Sequence, residues 1–412
     1  MPPWRSLRRA RESTVGTSPP FSVALLGDVV LGRRARLDGR VAPPEEVGGD
    51  TLALLRPARR PWEPWGMLFR RFFRRARATP SATPPPFSVV LLGDVVLGHR
   101  QAPGGGVESP EAVWGDVTDL LGTADLRLAN LECVLAGQGA AWRDGVKPFH
   151  FRASPDHVAT LCGAGIDAVS LANNHAHDFG PDALLETMRL LDAAGIAHVG
   201  AGPDEARAYA PLVLERAGTR VAVVAFTDNE PEAAAGPGRP GTAYARAVRS
   251  DPRGRRVLDA VREARDRADL VIVSAHWGGN YGEEPRRRHR RFGRALLAAG
   301  AHAVHGHSAH VSRGVGWRRR GPVLYATGDA VHTYEPVEGE RNDLAFVARV
   351  EVEDGRIARL RLHPLVVRDE RVRRATGDDR TAAVARMEAL CAREGSRARW
   401  DPAGEALVVE PR

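Results

Sequence analysis

Cysteine, lysine and long apolar runs are what this sequence has least of. Its 412 residues include three cysteines, Cys133, Cys162 and Cys391, without any CxxC spacing. Neither a disulfide framework nor a thiolate zinc site is indicated by that scatter, and the three read as small apolar residues of an interior. No stretch reaches the roughly 18 consecutive apolar residues of a membrane-spanning helix. The apolar run from Phe21 is interrupted by Asp28, so no secretory signal is indicated either. A cytoplasmic or peripherally membrane-associated protein is expected. Lys147 is the only lysine among 59 basic residues, a bias that a GC-rich genome produces without selection for phosphate contacts.

What is present suits a folded enzyme. The apolar fraction of 43% and the charged fraction of 27% exclude a mostly disordered chain and a polytopic membrane protein. The net charge of +8 invites a nucleic-acid reading. However, 16 Arg face 7 acidic residues before residue 85, which leaves the remainder near −1. The excess is local, and no nucleic acid is expected as a partner.

An internal repeat organises the N-terminal part. PPFSVALLGDVVLG at 19–32 returns as PPFSVVLLGDVVLG at 85–98, with one difference in 14 positions. Between the copies, residues 61–77 interleave aromatics with Arg, as a basic amphipathic helix on an anionic membrane or as part of a disordered extension. We expect residues 1–84 to be an Arg- and Pro-rich, largely disordered extension carrying a partial duplicate, and residues 85–412 to be one α/β domain. Of the two copies, the second leads by a short connection to a helix near 109–121, so Phe87 to Gly93 is the expected strand.

From Phe87 onward, short β-branched runs alternate with amphipathic stretches, the pattern of a layered α/β domain. The expected strands are FSVVLLG, LRLANLE, IDAVSLAN, VAVVAFT, LVIVSAH, AVHGH and VLYATGD. Helices are expected to open at Ser154 and Pro155, to end in LLAAG with Gly300 as a cap, and to span 381–393 ahead of a short strand near Leu407.

The ends of these strands carry the chemistry. They present Asp94, Glu132, the run Asn173, Asn174, His175 with Asp178 beyond it, His276, and His307 with His310. Ligands gather at the carboxyl ends of strands in such sheets. Carboxylate, amide and imidazole together suit Mn, Fe or Zn. A mixed set of this kind holds two metal ions about 3.5–4 Å apart, which bind phosphate oxygens and align a hydroxide for in-line attack.

GDVVLG at 93–98, NLE at 130–132, SLANNHAHDFG at 170–180, HWGGNY at 276–281, GHSAHV at 306–311 and YATGD at 325–329 resemble, in order and spacing, the motifs of the CapA family. That family belongs to the calcineurin-like metallophosphoesterases and is associated with poly-γ-glutamate capsule synthesis. The resemblance implies a four-layer, metallophosphoesterase-like sandwich of two mixed β-sheets flanked by helices. It also implies two divalent metal ions held by Asp94, Glu132, Asn174, His276, His307 and His310, with Glu132 standing where related enzymes often have Asp. His175 would serve the leaving group and Asp178 would orient it. Asn173, Trp277, Tyr281 and Arg313 are the candidates for substrate contact. An Asx turn is the alternative for Asn173 and Asn174, core packing for Trp277 and Tyr281, and solvation for Arg313.

Some positions depart from the family pattern. Ser308 and Ala309 stand where His and Pro are frequent, Asp329 replaces an Asn, and His177, His302 and His305 read as non-ligands. The expected partners are an anionic substrate or polymer such as poly-γ-glutamate and the capsule-synthesis machinery at a membrane. Two functions follow: a hydrolase of a phosphate ester or related anionic substrate, or a non-catalytic accessory protein that binds or guides an anionic polymer.

Overall fold

The computed structural model describes residues 87–98, 106–143, 147–333, 337 and 339–412. The first copy of the repeat, the basic segment 61–77 and the expected extension 1–84 lie outside the described residues.

The strand Phe87–Val95 is the second copy of the repeat, and all nine of its residues are buried. Val90 and Leu92 pack on one side of it, and Phe87, Val89 and Leu91 on the other. Two apolar faces are what a strand needs when layers cover it on both sides. It is central to a ten-stranded mixed sheet, whose main path runs Ser396–Asp401, Ala406–Pro411, Arg356–Arg368, Leu344–Glu353, Phe87–Val95, Leu126–Leu131, Ala168–Ser170, Ala197–Val199. A smaller mixed sheet has six strands in the order Ser312–Arg318, Gly321–Thr327, Ala303–His307, Leu270–His276, Thr219–Thr227, Leu212–Arg216.

Three apolar clusters define the layers. One packs Val90 and Leu92 against helical residues such as Trp114, Leu161 and Leu184. The second joins the sheets face to face through Val89, Leu91, Val223 and Ile272. The third seals the outer face of the smaller sheet with Val257, Val261, Phe292 and Leu296 from two helices. Helices, sheet, sheet and helices form the four-layer sandwich that the sequence predicts.

The seven expected strands are present, although IDAVSLAN contributes only Ala168–Ser170. The expected helix near 109–121 is two helices, Pro110–Trp114 and Val117–Gly122, because the chain turns at Gly115 with φ +46°. The hairpin of Leu344–Glu353 and Arg356–Arg368 is a part of the larger sheet that the sequence reading does not assign. Among the described residues, no helix is long and apolar enough to cross a membrane.

Candidate metal centre

Both sheets deliver their strand ends to one cleft. In the larger sheet Asp94 is level with Asn130 on one side and Asp329 on the other. In the smaller sheet His276 is level with His307. Gly93 makes this approach possible: a Cβ there would lie 1.9 Å from the Gly328 carbonyl oxygen, so no side chain fits.

Asp94 is fully buried. Asn130 Nδ2 donates to its Oδ1 at 2.7 Å, and the Ser308 N–H donates to its Oδ2 at 2.9 Å. Ser308 reaches that position with φ +86°, a left-handed conformation unusual for a residue with a side chain. Oδ1 also faces Nδ1 of His307 at 3.5 Å and Nδ1 of His276 at 3.7 Å. The two Nδ1 atoms lie 2.9 Å apart, and Ser274 Oγ lies 2.7 Å from Nε2 of His307. Nε2 of His276 lies 2.6 Å from Asn174 Oδ1 and 3.5 Å from Glu132 Oε1.

Two donor groups result, Asp94 with His276 and His307, and Asp94 with His310 and Asp329. Within each, one donor atom per residue lies within 4.8 Å of the others. Asp94 belongs to both. All six residues expected as ligands therefore meet in this cleft, and Asp329, which the sequence reading treats only as a departure from pattern, meets them too. Nδ1 of His310 is 3.1 Å from each Asp329 oxygen.

The electrostatics of the donor set suit cations. Burial pushes the Asp94 carboxyl up, but the His276 hydrogen bond and the fields of His276, His307 and His310 outweigh it and hold it well below the carboxylate range. Burial, then Asp94 and Asp329, push Glu132 well above its usual value. Its buried Oε2 has no hydrogen-bond partner, a gap that native structures rarely leave. Burial drives His307 well down. For His310, burial acts downward and the Asp329 charge and hydrogen bond reverse it, leaving the imidazole raised. Three carboxylates and three imidazoles share a buried space, with an orphaned acceptor among them. That set fits divalent ions of the Mn, Fe or Zn type.

His175 stands at the edge of this group. Its Nδ1 is 2.7 Å from Asp178 Oδ2, and its Nε2 looks toward Glu132 Oε1 at 4.0 Å. Burial lowers its pKa to about 4 despite Asp178. Asp178 also accepts the Phe151 N–H at 2.6 Å and pairs with Lys147 at 2.5 Å. Lys147 donates in addition to the Asn174 carbonyl. This lone lysine draws no functional expectation from the sequence, because nothing local distinguishes it.

Of the candidates for substrate contact, Tyr281 is 42% exposed beside His310, with ring centroids 6.1 Å apart. The other three are differently placed. Asn173 is buried, donating to Asn130 Oδ1 and the Leu131 carbonyl while its own Oδ1 accepts the His175 N–H, which is the Asx-turn alternative. Trp277 is fully buried, stacked on His289 and Tyr325, with its indole N–H on the Tyr325 carbonyl; it packs the core and does not wall the cleft. Arg313 is 4% exposed and donates to the Gly279, Tyr281 and Gly282 carbonyls, so it clamps the loop after His276 and is neither solvated nor open to a ligand. His177 packs on Trp142, His302 Nδ1 accepts the Val271 N–H, and His305 faces Thr327; none belongs to either donor group.

Residues 88–334 match the family model described as bacterial capsule synthesis protein PGA_cap. The chain belongs to that family. A probable polyglutamine synthesis accessory protein of Mycobacterium tuberculosis is 36% identical over 282 residues, covering 65% of this chain and 73% of its own length. The capsule biosynthesis protein CapA of Bacillus anthracis is 27% identical over 246 residues, 59% of each chain. Among solved structures, a hypothetical protein from Thermus thermophilus aligns at a TM-score of 0.44 and 19% identity, over 68% of this chain and 98% of that one. The matched span of the PGA_cap model includes every residue of both donor groups.

Proposed function

We propose that this PGA_cap protein is a metal-dependent hydrolase of a phosphate ester, or of a related anionic substrate, in the synthesis of an anionic capsule polymer such as poly-γ-glutamate. The observation that carries the reading is Asp94, one carboxylate common to two donor groups. Asp94, His276 and His307 would hold one ion, Asp94, His310 and Asp329 the other, and Glu132 and Asn174 lie within reach to complete the set. Bound divalent ions supply Lewis acidity toward phosphoryl oxygens and lower the pKa of water. The protein's own part is positional. Asn130 and the Ser308 N–H fix Asp94, and Asn173 fixes the turn that carries His175. Asp178 holds Nδ1 of His175, leaving Nε2 toward the cleft, where the ring, once protonated beside a bound anionic substrate, would pass that proton to the leaving oxygen. Residues 85–412 would be the catalytic domain and residues 1–84 an appended extension.

The second reading is an accessory protein that uses the same cleft to bind or guide the polymer, beside the capsule machinery at a membrane; the name of the mycobacterial relative favours it. Metal analysis of the purified chain, with a phosphodiester assay across Mn, Fe, Zn and Mg, separates the two. About two ions per chain with turnover supports the hydrolase. Bound metal and polymer binding without turnover selects the accessory protein, and a chain that takes up no metal overturns the site.

A further inference from the structure

The helix Arg287–Ala299 follows the strand Leu270–His276 and returns the chain to the parallel strand Ala303–His307. Its first turn therefore lies at the cleft end of the smaller sheet and its last turn at the opposite end. Arg287, Arg291 and Arg294 occupy positions i, i+4 and i+7, one stripe of that helix. Arg287 and Arg291 line a cavity of about 770 Å³ with Arg249 and Ser250. Arg294 lines another, of about 820 Å³, with Arg318, Arg319 and Arg320. One helical turn separates Arg291 from Arg294, so the two cavities are neighbours along the helix and the three helix arginines form a track spanning roughly 10 Å of its axis.

These arginines are exposed, and among the described residues none of them has a carboxylate partner. The contrast is local. Arg290, one position before Arg291 on another face, pairs with Glu394 at 2.5 Å; Arg361 pairs with Glu351 and Asp401; Arg371 pairs with Glu108. In a domain whose formal charge is near −1, Arg249, Arg287 and Arg291 line one of these cavities and Arg294, Arg318, Arg319 and Arg320 the other. Neighbouring like charges repel, and an anion laid along them removes that repulsion.

We propose that this arginine track binds an extended polycarboxylate chain and leads it along the helix toward the metal cleft; the inference rests on the reading that an anionic polymer is the substrate. Carboxylates repeated along a flexible chain match guanidinium forks bidentately. Single-stranded nucleic acid fits less well, because its binding sites stack bases on exposed aromatics. The large apolar side chains exposed among the described residues are Phe149, Tyr281 and Val337, and none lines either cavity.

The test uses the full chain and labelled poly-γ-glutamate in fluorescence anisotropy. A track variant, Arg287→Gln with Arg291→Gln and Arg294→Gln, is set against a control with the same loss of charge elsewhere, Arg189→Gln with Arg397→Gln and Arg399→Gln. All six positions are exposed, so both variants should melt as the wild type does. The arginines before residue 85 are common to every protein, so the difference reads the track. The track variant should bind at least about tenfold more weakly with a shallower salt dependence, the control should bind as the wild type does, and Arg319→Gln with Arg320→Gln should add a second loss. Equal weakening of track and control variants overturns the proposal, and so does single-stranded DNA of equal charge that competes as well as the polymer. Metal content and turnover of a small phosphodiester are measured beside it. If they persist while the track makes no difference, the track alone is wrong; if the wild type has neither, the reading beneath it has failed.

Discussion

The two donor groups that share Asp94 are held in different ways. His276 and His307 end adjacent parallel strands, face each other in register and are fully buried, with Ser274 and Asn174 on their outer nitrogens. His310 sits in the loop beyond Ser308, and Asp329 begins a three-residue strand after Gly328. The strand-borne half is set by sheet geometry that many main-chain hydrogen bonds maintain. In the loop-borne half, Asp329 is tied to Asp94 by a short strand pairing, while His310 depends on the left-handed Ser308, one main-chain hydrogen bond to Asn280 and its pair with Asp329. Rigid donors fix where a metal sits, and adjustable ones let the coordination change as substrate enters and leaves.

That contrast can be broken experimentally, and the largest effect should come from the residue common to both halves. Asp94→Asn should empty both groups, whereas Asp28→Asn, in the other copy of the repeat, should leave metal content unchanged; elemental analysis reads both. Next comes His175→Ala, which should lower kcat by roughly 10²–10⁴-fold with metal content intact, since it belongs to neither half. Metal loss in that variant would make His175 a ligand.

Gly93→Ala tests the architecture behind both halves, because its methyl group would meet the Gly328 carbonyl. Denaturant unfolding should show a loss of about 3 kcal/mol. Asp329→Asn keeps an oxygen donor in the loop-borne half. It should weaken one of two binding steps by about tenfold in a metal titration and lower the melting temperature of the metal-free protein, because it removes the charge His310 pairs with, whereas His307→Ala should weaken the other step. The smallest effect is on acid stability. Burial, then Arg265, lower His302 to about 4 from an ordinary value near 6.5, and its Nδ1 accepts the Val271 N–H. A histidine with a depressed folded pKa stabilises the fold fully above the unfolded value and loses that contribution as pH falls. The unfolding midpoint should therefore drop between pH 6.5 and 4, less steeply in His302→Gln.

Much of this is legible before any fold. The strands Leu270–His276 and Phe87–Val95 announce themselves because burial on both faces demands continuous apolar runs, and a polar residue ending such a run stands out. Asp94, His276 and His307 are found in that way. Asp329 escapes because it differs from the family pattern, yet it sits level with Asp94 through strand pairing that no local signal encodes. Trp277 is expected at the cleft on its position beside His276; alternation along the chain turns it to the other side, into the core.

The sequence by itself determined the layered α/β class and the strand-end donors, because periodicity and residue type are local properties, and the short connection after Gly98 pointed to the motif at Phe87, whose local pattern is nearly that of 19–32. Tertiary structure decided which donors share an atom, that Arg313 closes a loop rather than meeting a ligand, and that Lys147 braces Asp178. It also put Arg249 beside Arg287 and Arg291 in one cavity and Arg318, Arg319 and Arg320 beside Arg294 in another. Those outcomes depend on distances between residues far apart in the chain, which are fixed only when the two sheets pack and the loops between them close.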